Sequence, residues 1–146
     1  MELRSQIYWA DVVEGQELPP LTKVPGPVQL AMYSAITGIF HRIHYDAPFA
    51  AESDGLPGVL VHGPLHGAFL CQMVTDWMGP KGFVCKLETS NRGMAVAGER
   101  LTCHGAISKK FMAADEHLVQ CEIWEENEQG DKLTVGSAIV RLPLRA

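Results

Sequence analysis

No stretch of this 146-residue chain stays apolar for the ~20 residues that a bilayer-crossing helix requires; its hydrophobic runs are interrupted within about a dozen residues. Basic clusters are also scarce. Lys109–Lys110 is the one adjacent pair, and 12 Lys+Arg stand against 17 Asp+Glu for a formal net charge of −5, which excludes the electrostatic footprint of a nucleic-acid binder. The four cysteines (Cys71, Cys85, Cys103, Cys121) show no Cys-x-x-Cys spacing, so zinc and redox chemistry have no support and buried free thiols are expected. No internal repeat or low-complexity tract appears. The opening Met-Glu-Leu-Arg-Ser-Gln has neither the apolar core of a secretory signal nor the acid-poor bias of a transit peptide, which points to a cytoplasmic protein. What the chain does have is 47% hydrophobic and 20% charged residues, enough for a packed core, too apolar for disorder, and of a length that fits one domain over 1–146.

Proline and glycine punctuate the first half. Residues 7–20 run from Ile7-Tyr8-Trp9 to Leu18-Pro19-Pro20; the prolines forbid helix and predict an extended lead-in strand. Pro25-Gly26-Pro27 starts a helix whose apolar positions, Val28, Leu30, Ala31, Tyr33 and Ile36 among them, keep helical period until Gly38. The segment Ile39 to Asp46 reads Ile-Phe-His-Arg-Ile-His-Tyr-Asp, too rich in polar aromatics for a plain core element, and is a candidate site. Asp46 is placed to cap a short helix running to about Ser53 and closed by Gly55. From Pro64 to Met78 the chain is apolar on nearly every face, which predicts a helix buried all round. Gly79-Pro80 stops it.

The second half changes period. Phe83–Ser90, Glu99–Lys110, His117–Glu125 and Lys132–Leu142 are β-type runs separated by turn signals at Asn91-Arg92-Gly93, Ala113-Ala114-Asp115 and Asn127–Asp131. In the third run Leu118, Gln120, Glu122 and Trp124 alternate with Val119, Cys121 and Ile123. One buried helix followed by an antiparallel meander makes an α+β layer in which the sheet wraps the helix. Such a layer leaves a sheet face and an edge uncovered, so pairing of two copies is expected.

Residues 37–46, Thr-Gly-Ile-Phe-His-Arg-Ile-His-Tyr-Asp, followed by Val61-His62-Gly63-Pro64-Leu65, strongly resemble the two signature segments of the MaoC-like enoyl-CoA hydratases/dehydratases, a family of hotdog fold. Glu14–Pro20, Thr75–Pro80 and Gly98–Thr102 extend the resemblance over nearly the whole chain. The spelling His41-Arg42-Ile43-His44-Tyr45-Asp46 is most similar to the subgroup with mesaconyl-CoA hydratases and 3-hydroxyacyl-thioester dehydratases. The resemblance implies reversible addition of water to a 2-enoyl thioester of coenzyme A or an acyl carrier, with no metal or redox cofactor. It places the catalytic imidazole on His44 and the oxyanion donor on the backbone N–H of Gly63. An imidazole titrates close to neutrality and can take a proton from water and return one to carbon. An N–H at a helix N-terminus, backed by aligned peptide dipoles, suits an enolate oxygen.

Three positions depart from the family. The aspartate five residues before the catalytic histidine is Ile39 here, and isoleucine holds no water. His41, at the family's usual asparagine, is the remaining polar group, either orienting His44 or taking the aspartate's share of proton transfer. Cys71 stands where a helix serine usually steadies the imidazole, and thiols bond weakly. Arg42 faces two uses, a coenzyme A phosphate or a local carboxylate. His62 and Pro64 sit at the helix start, His62 as a support of the turn; Gly67 and Ala68 are expected to make room for substrate or for a partner's copy. His66 is expected in the core, as is Trp77; Asp46 is a helix cap; His104 and His117 carry no signature. The leading expectation is a homodimer, or higher even oligomer, acting as a hydratase/dehydratase on a small-molecule acyl thioester. Ile39 also admits an impaired subunit or thioester-binding protein that forms a heteromer with an active homologous hotdog chain. A third possibility is altered chemistry, such as a thioesterase or polyketide-type dehydratase. The length matches one hotdog unit, too short for a double one, so a second chain is expected to complete the assembly.

Overall fold

The computed structural model describes residues 5–145; residues 1–4, which carry part of the leader reading, lie outside them. Three helices form where the sequence signals place them: α1 (Pro27–Thr37), α2 (Ala47–Asp54) and α3 (Gly63–Met78). Gly38 (φ 71°) and Gly55 (φ 63°) end the first two in the left-handed region that glycine enters without a Cβ penalty. Asp46 caps α2, its Oδ1 accepting from the Phe49 N–H at 3.1 Å. No helix of the described residues is long and apolar enough to cross a membrane.

Five strands follow the chain as β1 (Leu21–Lys23), β2 (Phe83–Asn91), β3 (Leu101–Ala113), β4 (Glu116–Glu126) and β5 (Lys132–Arg141), in one antiparallel sheet of order β1-β3-β4-β5-β2. The lead-in differs from the expected strand over 7–20. Residues 15–18 do lie against β3, through Gly15 N–H to Ile107 O (2.7 Å), Ile107 N–H to Gln16 O (2.9 Å) and Leu18 N–H to Gly105 O (2.8 Å). Pro19 and Pro20 then interrupt the pairing, since they carry no N–H, and a regular ladder resumes at Leu21. Upstream, Trp9–Asp11 is a single 3-10 turn.

The expected four-strand meander is also revised. β3, β4 and β5 form one, and Ala114 and Asp115 make the β3–β4 turn with positive φ at both positions (49° and 63°). β2, although next to β3 in sequence, pairs with β5 at the far edge. The intervening residues 92–100 are held elsewhere: Val96 bridges to Leu60, and the Val61 N–H donates to Ala95 O at 2.8 Å. This tether makes the connection cross the layer instead of turning back as a hairpin.

The sheet curls against α3. Leu65, Phe69, Leu70, Met73, Val74 and Trp77 bury one face of the helix against Leu101, Ile107, Val119, Ile123 and Val140 of the sheet. The other face of α3 is not enclosed, contrary to expectation: Pro64 and Ala68 are exposed, and Cys71 and Thr75 half-buried. A single five-stranded sheet covers one side of a helix, and small side chains occupy the side it leaves. The thiols divide likewise: Cys103 and Cys121 are buried, and burial pushes Cys121 up to about 12, whereas Cys85 lies exposed on β2 and Cys71 is half-buried.

Under the first turns of α3 the core holds a polar pair. His66, 2% exposed, pairs through Nδ1 with Oε1 of the fully buried Glu125, and the Cys103 thiol donates to the other carboxylate oxygen at 3.8 Å. Burial, and then Glu125, raise the Cys103 thiol far above its ordinary range. His66 is thus a satisfied core histidine, as its place on the apolar helix implied.

Candidate active site

The loop between α1 and α2 and the start of α3 meet at the mouth of this core. Residues 42–44 form one 3-10 turn, capped by His41, whose Nδ1 accepts from the Ile43 N–H at 3.5 Å. The turn drives His44 inward, to 8% exposure, and its Nδ1 lies 2.8 Å from the Leu60 carbonyl. A carbonyl only accepts, so Nδ1 carries the hydrogen and Nε2 is left as the basic nitrogen. On the other side the His62 ring stacks on His44, centroids 3.8 Å apart and planes within 15°. His62 is the N-cap residue of α3, fully buried, and its Nε2 lies 2.8 Å from Ser34 Oγ on α1. Tyr33 meets its ring edge-on at 4.8 Å. Its Nδ1 is buried with no hydrogen-bond partner among the described residues.

Burial of His62, with the nearby His44 adding to it, pushes its imidazole down to about 4 from the ordinary 6.5. It is therefore neutral across the physiological range. The unfolded chain takes up this proton near 6.5 and the folded one only near 4, so stability is at its full value above about pH 6.5 and falls as pH drops toward 4. The loss from this one site is on the order of 3 kcal/mol. His62→Asn is expected to flatten the pH dependence of denaturant midpoints in that window; a slope like the wild type's would contradict the assignment.

Gly63 follows directly as the first residue of α3. Its N–H has no acceptor among the described residues, and Pro64 beside it has no N–H. A Cβ on Gly63 would stand 2.5 Å from Nδ2 of Asn91, the last residue of β2, so a larger residue there would have to displace that amide. An imidazole with a free basic nitrogen is thus stacked on the residue that precedes an unpaired N–H at a helix start.

The remaining expected site residues fall variously. His41 is exposed, its ring centroid 6.4 Å from that of His44, and it caps the turn; the orienting of His44 falls to Leu60 and His62. Arg42 takes the local carboxylate: its Nη2 and Nε reach Asp46 Oδ2 at 2.6 and 3.0 Å, and its guanidinium lies 4.3 Å from the centroid of the Phe49 ring. That pairing, with the Phe49 N–H, holds the Asp46 carboxyl below the usual carboxylate range. At Gly67 the space of the missing side chain faces Thr89 of the chain's own sheet, whose Oγ1 lies 3.2 Å from a Cβ built there. Cys71 lies on the open face of α3, with no hydrogen bond to His44 among the described residues; the hydroxyl in the histidine cluster is Ser34. Ile39 is half-buried at the loop entrance. Sequence reasoning missed Ser34, Leu60 and Asn91. Ser34 left one signal, a polar residue on the apolar stripe of α1; the other two act through long-range contacts.

Comparison with known proteins decides the lineage. The profile of the hydroxyacyl-thioester dehydratase type 2 family matches residues 15–97, more than half of the chain and all of the loop, helix start and strand just described. The chain belongs to this family. It is 46% identical over 63 residues to the mesaconyl-C(4)-CoA hydratase of Chloroflexus aurantiacus, a match covering 39% of this chain and 22% of that protein. The chain thus matches under a quarter of this relative's length. Its fold is that of the R-hydratase PhaJ1 from Pseudomonas aeruginosa (TM-score 0.86, 21% identity, 96% of this chain and 88% of that one). It also matches a chain of the ChsH1–ChsH2 complex from Mycobacterium tuberculosis (TM-score 0.76, 20% identity, 89% and 98%). The curled sheet around α3 is accordingly a hotdog, and the MaoC-like resemblance in the sequence holds. As a member of a hydratase/dehydratase family, the chain has enzymatic kin on both the sequence and the structural side.

Proposed function

We propose that this family member hydrates 2-enoyl thioesters reversibly, with His44 as the acid/base and the Gly63 N–H as donor to the thioester oxygen. One observation carries the reading: His44 is fixed by the Leu60 carbonyl and the His62 stack beside the unpaired N–H that starts α3. In the forward direction His44 Nε2 takes a proton from water as the hydroxyl oxygen bonds to C3 of the substrate. The electron pair moves to the thioester oxygen, where Gly63 holds the enolate. The imidazolium then returns the proton to C2, and one water has been added. His62 supports this sequence because it stays neutral, leaving the charge of the cycle on His44 alone. Ile39 offers no second base, so one imidazole makes both transfers.

The acting unit is a dimer in the cytoplasm, and the only non-protein group it needs is the thioester carrier of its substrate. β2 is a nine-residue strand at the edge of the sheet, and α3 leaves its small-residue face open. Both are surfaces that a second hotdog chain covers. The proposed dimer is of two copies of this chain; the alternative of a homologous partner in place of the second copy rests on Ile39, which lacks the polar group of the family pattern.

Product identity tests the reading against thioester hydrolysis. Purified protein incubated with a 2-enoyl-CoA is expected to yield the 3-hydroxyacyl-CoA, heavier by one water, with no free thiol. Release of coenzyme A thiol without a hydrated product would overturn the hydratase reading.

A further inference from the structure

One rung of the sheet is polar from its centre to its edge. Cys103 of β3 pairs in register with Glu125 of β4, Glu125 with Thr134 of β5, and Thr134 with Asn91 of β2. Cross-strand partners point to the same side, here the side facing α3. His66 of α3 closes on Glu125, and the fully buried Thr134 hydroxyl donates to Asn91 Oδ1 at 3.0 Å. That bond consumes the acceptor end of the Asn91 amide and turns its donor end, Nδ2, onto Gly63, 2.5 Å from where a Cβ would stand. Nδ2 has no acceptor among the described residues, and Asn91, at the strand edge, is exposed and open to a ligand. A surface asparagine at a strand end ordinarily turns to water; this one is pinned from below by a buried hydroxyl.

Resting on the proposed hydratase site, we propose that the Asn91 side-chain amide is a second donor to the thioester oxygen, beside the Gly63 N–H. Stabilising an oxyanion commonly takes two preorganised donors converging on one oxygen, and Gly63 alone supplies one, Pro64 having no N–H. The Gly63 position is glycine so that Asn91 can approach. The polar rung fixes the carboxamide in advance, so no reorganisation is needed as charge develops. Asn91 also brings to the site the kind of group that Ile39 fails to supply, although on the carbonyl side of the substrate.

The test pairs kinetics with the carbonyl stretch of a bound enoyl-CoA labelled with carbon-13 at the thioester carbonyl, read by difference infrared spectroscopy on the full chain. In the wild type the stretch is expected to shift to lower frequency than in water. Asn91→Ala should lose part of that shift and lower kcat on the order of a hundredfold with little change in KM. Thr134→Val, which unpins the amide, should fall between the two. A melting temperature reduced in Asn91→Ala with kcat and carbonyl frequency unchanged would leave Asn91 a structural residue and overturn the assignment. A wild type that binds with a shifted carbonyl that Asn91→Ala diminishes, yet hydrates nothing, would uphold the donor and overturn the hydratase reading. A wild type that neither binds nor hydrates any enoyl-CoA would overturn both.

Discussion

His44→Ala is expected to lower kcat for enoyl-thioester hydration by about 10²–10⁴-fold, the usual contribution of a positioned acid/base group. The substitution removes an imidazole whose tautomer is set by the protein, through Nδ1 to the Leu60 carbonyl, and with it the Nε2 lone pair. Alanine also leaves that carbonyl and the stacked face of His62 bare, which costs about 1–3 kcal/mol of stability. His44→Gln separates the two effects, since its amide can still donate to Leu60 but cannot act as a base. It should be as inactive as His44→Ala and more stable. His41→Ala should be far milder, because His41 is exposed and its Nδ1 serves to cap the 3-10 turn. Equal losses at both positions would move the proton transfer to His41, the alternative left open in the sequence.

The second large effect concerns folding. Glu125→Ala is expected to destabilise the protein by about 3–5 kcal/mol, because it strands His66 and the Cys103 thiol in the core without their acceptor. In a chain of this size that means a fall in melting temperature of roughly 10 °C or more. Replacing both partners, Glu125→Leu with His66→Leu, removes the desolvated groups together and should recover most of the loss, because buried pairs often break even with apolar residues of similar size. Losses that simply add would show that neither group depends on the other. Unlike the histidines of the candidate site, the pair ties the first turns of α3 to the polar rung that ends at Asn91.

Much of this architecture was legible in the chain. Pro27, Gly38, Asp46, Gly55, Gly63-Pro64 and Gly79 mark helix ends by local rules, and local rules survive folding. Alternation in β4 already sets Glu125 on the same side as Val119, Cys121 and Ile123, so an inward carboxylate was there to be read beside a core His66. What escaped depends on contacts distant in sequence. The displacement of β2 to the far edge follows from the tether of Val96 to Leu60. The open face of α3 follows from how far one sheet can wrap. At the site, His44 and Gly63 were legible because the family motif carries them. Ser34, Leu60 and Asn91 were not, since each gains its meaning from a partner 16 to 43 residues away. At Gly67, read as room for substrate or for a partner's copy, the neighbour within the chain is Thr89; a glycine in a helix signals close approach but not by what.

The central claim is that the histidine cluster at the start of α3 hydrates an enoyl thioester without a polar residue at position 39. The most direct measurement is the loss of enoyl-thioester absorbance when the purified chain alone, with no homologous subunit added, is given 2-enoyl-CoA substrates of several chain lengths, with His44→Ala run in parallel. The expected result is decay of the absorbance with the wild type and a nearly flat trace with the variant. A flat trace for the wild type at every chain length, or an equal decay in both proteins, would contradict it.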